Sequence, residues 1–309
     1  MRKMMAPGVP ASHAAPTSPQ DELLKRLFSR IHEVSSLPAV ALKVIEIAND
    51  SSTEAEDLLI AIRFDPAMAA RIMRTVNSAY YGLPNRVGDL KLAISLLGFD
   101  EIRNLAMTAY VAQMFRGSVG YGTYSREKLW NHMIGTAMVA RLVAGITRCA
   151  LPREAYLAGL LHDLGIILID QYLHAPFCKV IDSLQVNGDQ CNLEREALGF
   201  DHAELGAFVA ERWRLPDHLV AAIRYHHRPL DYEGAHANVV NAVTLANFLC
   251  HARNLSSLGV QVACAPSEEV FNATGVNREV LQEIWDQLDD TLAAADIFSL
   301  TRQEAVKEA

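Results

Sequence analysis

The chain has 309 residues, half of them apolar, and a formal net charge of -8. That length supplies enough apolar surface for one or two domains. The acidic balance and the lack of an extended basic run argue against duplex nucleic acid and anionic membrane as partners, because both need clustered Lys and Arg. The five cysteines (Cys149, Cys178, Cys191, Cys250, Cys264) are odd in number, and no two stand at a CxxC-like spacing. A disulfide framework is not expected, and a reducing compartment is. No apolar stretch reaches the roughly 18 to 20 residues of a membrane span.

In chain order, residues 1–20 are rich in Pro, Ala and Ser and read as a disordered leader. An N-terminal helical lobe is expected over 21–120. Leu23, Leu24, Leu27, Phe28 and Ile31 have helical spacing, and Val40, Val44, Ile45 and Ile47 form a second stripe after Pro38. Ser52 or Thr53 caps a third helix. Asp65 and Pro66 open a fourth, which Gly82 and Pro84 stop. Two more follow, with Gly98 ending the first and Asp100 capping the second. The stretch "RGSVGYGTY" reads as a loop and as the internal boundary.

A second helical lobe is expected over 121–300. Its helices fall near 125–147, 152–163, 168–186, 201–213, 216–227 and 237–253. Residues 254–276 are poorly patterned, and a last helix covers about 277–295. No segment alternates apolar and polar residues between turn signals, so the fold class is all-α.

Five of the 11 histidines share a setting. His132 has Gly135, Thr136, Val139 and Val143 on its helical face, an inward and small face with room beside the imidazole. His162 has Ala155, Ala158 and Gly159 beneath it, with Asp163 one position on, about 100° around a helix. Gly165 is expected to end that helix. His202 follows the cap Asp201, with Glu204 at the capping-box position. His226 and His227 close a helix over Leu219, Ala222 and Ile223. Unpaired buried imidazoles cost free energy. They are either satisfied core residues or ligands of a divalent cation, for which neutral imidazole plus carboxylate suits Zn, Mn, Fe or Ni. Trp130 and Trp213 share helices with His132 and His202 and are candidate walls of such a site.

His132, the doublet His162-Asp163, His202, the pair His226-His227 and the late Ala246-Asn247 resemble the HD superfamily of metal-dependent phosphohydrolases. Their order is most similar to the HD-GYP branch, which hydrolyses cyclic di-GMP. "LPAVALKVIEIAND", "IRFDPAMAARIMRTVNSAYYGLP" and "LKLAISLLGFDEIRNLAM" resemble the HDOD family, the HD-related output domains of bacterial signalling. The resemblance runs from about Leu37 to about His227. It implies a helical fold, bacterial origin, a cytoplasmic location, a regulatory role with signalling proteins as partners, and a small phosphate or nucleotide as ligand. It also implies one or two divalent ions. His132, His162, Asp163 and Asn247 would form one site, and Asp163 would bridge to a second made by His202, His226 and His227, which gives Asp163 the catalytic position.

The chain departs from the hydrolytic pattern. Asn247 stands where the catalytic families have Asp, and a neutral amide oxygen binds a divalent ion more weakly. Ile166 stands where the HD-GYP branch has Lys, and "HHRPLDYEG" lacks the GYP segment. The acidic ligand upstream of the first His has no clear match, with Glu101 and Glu127 the nearest. Arg224 and Arg228 flank the double His and are candidate phosphate ligands, or else solvated cations at a helix end. Three readings stay open: a regulatory module with a metal site, a metal-dependent phosphohydrolase, and a cluster of paired histidines without metal.

Overall fold

The computed structural model describes residues 55–63, 65–115, 117, 119–187, 189–260, 265–295 and 298. The expected leader, the helices read over residues 23–47 and the cap at Ser52 or Thr53 lie outside the described residues. The fold is all-α, as expected, apart from one short hairpin among the described residues.

The first described helices are α1 (Ala55–Arg63), α2 (Pro66–Val76), α3 (Leu90–Leu97) and α4 (Phe99–Val111). The Asp65 carboxylate accepts the Met68 amide at 3.0 Å with Pro66 in the first turn, as the sequence indicated. Gly98 does double duty: it ends α3 and begins α4 at φ +85°, a left-handed conformation that favours glycine. Asp100 is therefore not the cap. It lies in the first turn of α4 and pairs with Arg103 at 2.9 Å.

The stretch read as a loop holds a two-stranded antiparallel hairpin, β1 (Gly120–Tyr121) and β2 (Tyr124–Ser125). Next come α5 (Arg126–Thr147), α6 (Pro152–Leu161), α7 (Leu164–Tyr172) and α8 (His174–Asn187). The expected helix over 168–186 is thus two helices, and the chain turns by 118° between α7 and α8. Then follow α9 (Gln190–Leu198), α10 (His202–Arg212), α11 (Asp217–Tyr225), α12 (Ala237–Ala252), α13 (Glu268–Thr274) and α14 (Arg278–Ala295). Helices α9 and α13 were not legible in the sequence. Among the described residues, no single helix is long and apolar enough to cross a membrane.

One apolar core runs from Leu58 to Phe298. Helix α5 is its axis, fully buried from Met133 to Ala140, with α6, α12 and α14 packed on it. Helices α7 and α11 both pack on α10, and α4 seats the N-terminal helices on α6. Tyr81 and Arg141 meet at Glu101: the tyrosine hydroxyl donates at 2.7 Å and the guanidinium at 3.0 Å. Glu101 is thereby committed to joining α4 and α5, not to the histidine cluster.

Candidate metal centre

Helix ends build the centre. Helix α6 stops at Leu161, and His162 and Asp163 form a break before α7. Asp163 leaves helical geometry at φ -97°, ψ 17°. This break brings both side chains to one point, which a continuous helix would not. Gly165 therefore does not end a helix. It lies within α7, where a Cβ would fall 1.9 Å from the His202 carbonyl oxygen. The glycine lets α7 touch the start of α10. Gly159 has a similar task, with Thr136 and Ala137 backbone inside 3 Å of an added Cβ. The room at Gly135 is filled by Leu255 and Leu292, so the small residues serve close helix packing more than space beside the imidazoles.

His202 opens α10 behind the capping box read from the sequence: Asp201 accepts the Glu204 amide at 2.8 Å, and Glu204 accepts the Asp201 amide at 3.2 Å. His226 and His227 leave the C-terminal end of α11. His132 comes from the middle of α5. His132, His162, Asp163, His202 and His226 are buried, and His227 is exposed at the rim.

The Asp163 carboxylate stands between four imidazoles. Its Oδ2 lies 3.3 Å from His162 Nε2 and 3.5 Å from His132 Nε2. Its Oδ1 lies 3.4 Å from His202 Nε2 and 3.5 Å from His226 Nε2. His202 Nε2 is also 3.0 Å from His227 Nε2. Two donor sets result, Asp163 with His202, His226 and His227, and Asp163 with His132 and His162, each with ligand atoms within 4.8 Å of one another. Asp163 is common to both.

The hydrogen bonds on the far side of each ring decide what these atoms offer. His132 Nδ1 donates to Leu255 O at 2.8 Å, His162 Nδ1 to Gly159 O at 2.7 Å and His226 Nδ1 to Ile223 O at 2.9 Å. A carbonyl only accepts, so the ring proton sits on Nδ1 and Nε2 carries a lone pair. His202 Nδ1 donates to the fully buried Glu194 carboxylate at 2.6 Å. The Nε2 atoms of His132 and His162 then face each other at 3.2 Å as two acceptors. His226 Nε2 and Asn247 Oδ1 are buried without a hydrogen-bond partner. A pocket lined by acceptors around a carboxylate fits a cation, and imidazoles braced through Nδ1 are the usual supporting arrangement.

Electrostatics point the same way. Burial, with His251 adding repulsion, pushes His132 down to about 3 and keeps it neutral. Burial also lowers His226. His202 is the exception: burial opposes its charge, yet Glu194 raises it well above the usual imidazole range.

The centre is the floor of a cavity of about 700 Å³. Asp163, His226, His227 and Asn247 line it, together with the cations Arg195 and Arg228, the carboxylates Asp189 and Asp231, and the apolar Leu184, Leu230, Phe248 and Leu258. Arg228 reaches the cavity, but Arg224 does not. Arg224 pairs with Glu211 at 2.7 Å and lines a separate surface depression, because α11 ends before the double His and the two arginines part. Trp130 donates its indole N–H to Phe298 O, and Trp213 borders a small gap with Met107 and Leu161. Neither lines the cavity.

Three residues were missed by the sequence reading. Glu194 braces His202 from the unpredicted α9, and nothing in "LERE" separates it from the exposed Glu196. Arg195 lies beside it, bound to the Asp201 carboxylate. His251 follows Asn247 by one helical turn on α12, its ring centre 5.1 Å from that of His132 and its Nδ1 without a partner. The i, i+4 spacing to Asn247 was the available signal.

A family model for the HDOD domain matches residues 34–229. Among solved structures, that of an HDOD domain protein of unknown function from Geobacter sulfurreducens is 25% identical, with a TM-score of 0.78, covering 90% of this chain and 98% of that one. A Marinobacter aquaeolei VT8 protein, provisionally a signal transduction protein, is 28% identical at a TM-score of 0.76, over 90% of this chain and 64% of that one. A provisional phosphohydrolase from Shewanella amazonensis SB2B, 20% identical over 88% of this chain and 97% of that one, shares the fold at a TM-score of 0.70. An uncharacterised protein of Treponema pallidum (strain Nichols) is 25% identical over 228 residues, 73% of this chain and 44% of that protein, so the chain spans under half the length of that relative. With the family model matching well over half of its length, the chain belongs to the HDOD domain family.

Proposed function

We propose that the chain is a regulatory module of bacterial signalling whose buried His and Asp residues hold one or two divalent cations as the floor of a ligand site. The observation that carries this reading is the convergence of acceptor atoms: Nε2 of His132 and of His162 at 3.2 Å, the unpartnered Nε2 of His226 and the unpartnered Oδ1 of Asn247, all disposed about Asp163. The ligands would be His132, His162, Asp163, His202, His226, His227 and Asn247, with Fe, Mn, Zn or Ni suited to them. Glu194 would fix the His202 tautomer. Arg228 and Arg195 would meet the anionic part of a small phosphate or nucleotide, and the apolar side of the cavity its remainder. A signalling protein would read the occupied state.

The bridging position of Asp163 between two donor sets favours a second reading, a phosphohydrolase. Bound there, two cations would lower the pKa of a shared water and take up charge on a phosphate oxygen. This chain's own residues support the regulatory reading better. Ile166 is fully buried and offers no cation to the site, and Asn247 offers no charge.

The two readings separate by assay. The untagged chain is supplied with Mn or Fe and given bis-p-nitrophenyl phosphate and cyclic dinucleotides. Binding without turnover is expected. Turnover that is lost in Asp163→Ala and raised in Asn247→Asp would establish the enzyme instead.

A further inference from the structure

The stretch "VNSAYYGLP" takes no part in the metal centre. It builds a separate feature among the N-terminal helices. Helix α2 ends at Val76, and Asn77 closes the loop that follows. Its side-chain amide donates to Met73 O at 2.8 Å and to Val87 O at 3.0 Å, and its Oδ1 accepts the Val87 amide at 2.7 Å. Tyr81, bound to Glu101 at 2.7 Å, ties the middle of the loop to α4. Surface loops with their ends held together are compact and frequently functional.

This loop and α2 together line a depression of about 810 Å³. Helix α2 contributes one face, Ala70, Met73, Arg74 and Asn77, at the spacing that groups residues on a helix. The loop contributes residues 83–88. Arg74 and Arg86 are exposed, and neither has an ion-pair or hydrogen-bond partner among the described residues. No lining residue is acidic. Asp89, next in the chain, is taken up by capping the Leu92 amide at 2.9 Å. The other depressions differ: Asp189 and Asp231 accompany the arginines over the metal centre, and Glu211 and Asp217 accompany Arg224.

We infer that this depression docks an acidic segment of a partner protein, with an apolar side chain set among its carboxylates. Charge complementarity carries the assignment. In a chain of net charge -8, two uncompensated arginines in one depression make a local positive field that steers an acidic partner to this face. A guanidinium fork also suits carboxylates better than an ammonium does. Met73, Leu83 and Val87 supply the apolar part of the lining, and the thioether of Met73 adapts to the side chain it meets. The pinned loop lowers the ordering cost of binding. This is the partner surface that the regulatory reading calls for, and it stands as a peptide site whether or not the buried centre holds metal.

Fluorescence anisotropy of the metal-stripped chain tests this, with a labelled peptide of one leucine flanked on each side by two glutamates. Saturable binding is expected, weakened about fivefold or more when salt is raised from about 0.05 to 0.5 M. The same peptide with glutamines should not saturate. Arg74→Glu combined with Arg86→Glu should weaken binding about tenfold or more with Tm unchanged, since both side chains are exposed. Gly88→Glu is the second variant. An added Cβ there meets no atom within 4 Å, so the substitution adds a carboxylate to the lining without a clash and should also weaken binding. Arg224→Glu, a charge reversal outside the depression, should not. No saturation, full binding by the Arg74 and Arg86 double variant, or an equal loss in Arg224→Glu would overturn the surface. Phosphatidylglycerol vesicles that bind through the same two arginines while the peptide does not would assign it to a membrane and overturn the peptide. Metal affinity should be the same in the double variant, which keeps this test apart from that of the proposed function.

Discussion

Gly165→Ala probes the link between helix packing and the centre. A Cβ at Gly165 would sit 1.9 Å from the His202 carbonyl oxygen and 2.6 Å from its carbon. Real Cβ atoms keep at least 3.0 Å, so α7 and α10 must part by about 1.1 Å. The obstacle is backbone and cannot rotate away. Overpacking of this kind costs about 1–3 kcal/mol or more, a drop of roughly 2–12 °C in Tm at about 2–4 °C per kcal/mol. Asp163 leads α7 and His202 leads α10, so the same shift widens their 3.4 Å approach. Metal affinity should fall about 10–100-fold, as it does when supporting residues move.

The assay is thermal unfolding of the metal-stripped chain together with calorimetric titration of Mn or Zn. Gly145→Ala is the control. Gly145 is exposed near the end of α5, with no atom within 4 Å of an added Cβ. That substitution should be neutral or stabilise by about 0.5–1 kcal/mol. If Gly165→Ala matched the unsubstituted chain in both Tm and affinity, the close approach would not position the site.

Further outcomes follow from individual contacts. Glu194→Gln leaves His202 without its carboxylate partner and should weaken metal binding about 10–100-fold with little change in secondary structure; unchanged affinity would show that the brace is dispensable. Arg228→Ala should weaken binding of inorganic phosphate to the metal-loaded chain by about tenfold or more, the worth of a hydrogen bond to a charged group. Arg224→Ala should not, since that side chain is held by Glu211 outside the cavity; equal effects would contradict the placement. His132 has its pKa depressed to about 3 from 6.5 by burial. The metal-stripped folded chain thus excludes a proton that the unfolded chain binds. Its contribution is full above about 6.5 and is lost as pH falls toward 3, at up to about 1.4 kcal/mol per pH unit. Urea unfolding should show that slope in the metal-stripped chain and a shallower one in His132→Asn; identical slopes would refute a neutral buried His132.

The legible part of this protein was periodic. Inward faces and caps located the helices, and Asp65 and Asp201 act as the sequence indicated. His132, His162, Asp163, His202, His226 and His227 could be gathered because each imidazole lies on or at the end of an apolar stripe. What escaped depends on the chain leaving its period. The break at His162-Asp163 was read as a continuous helix, because a glycine two residues on has the same letter whether it caps a helix or admits another backbone. Helix α9 is polar and short, so Glu194 had no pattern to identify it. Arg224 and Arg228 looked equivalent beside the double His, but the end of α11 at Tyr225 separates them. His251 was not among the five histidines that could be grouped, although α12 turns it to the same side as Asn247, where both line the cavity.

Metal content measures the central claim most directly. The untagged chain, purified without chelator, is analysed for divalent metals per chain beside His162→Ala and Asp163→Ala. At least one equivalent of Fe, Mn, Zn or Ni is expected in the unsubstituted chain. Both substitutions should lower it, and Asp163→Ala more, because Asp163 belongs to both donor sets. Substoichiometric metal in the unsubstituted chain, unaltered by either substitution, would contradict the centre and leave the histidines as a buried polar cluster.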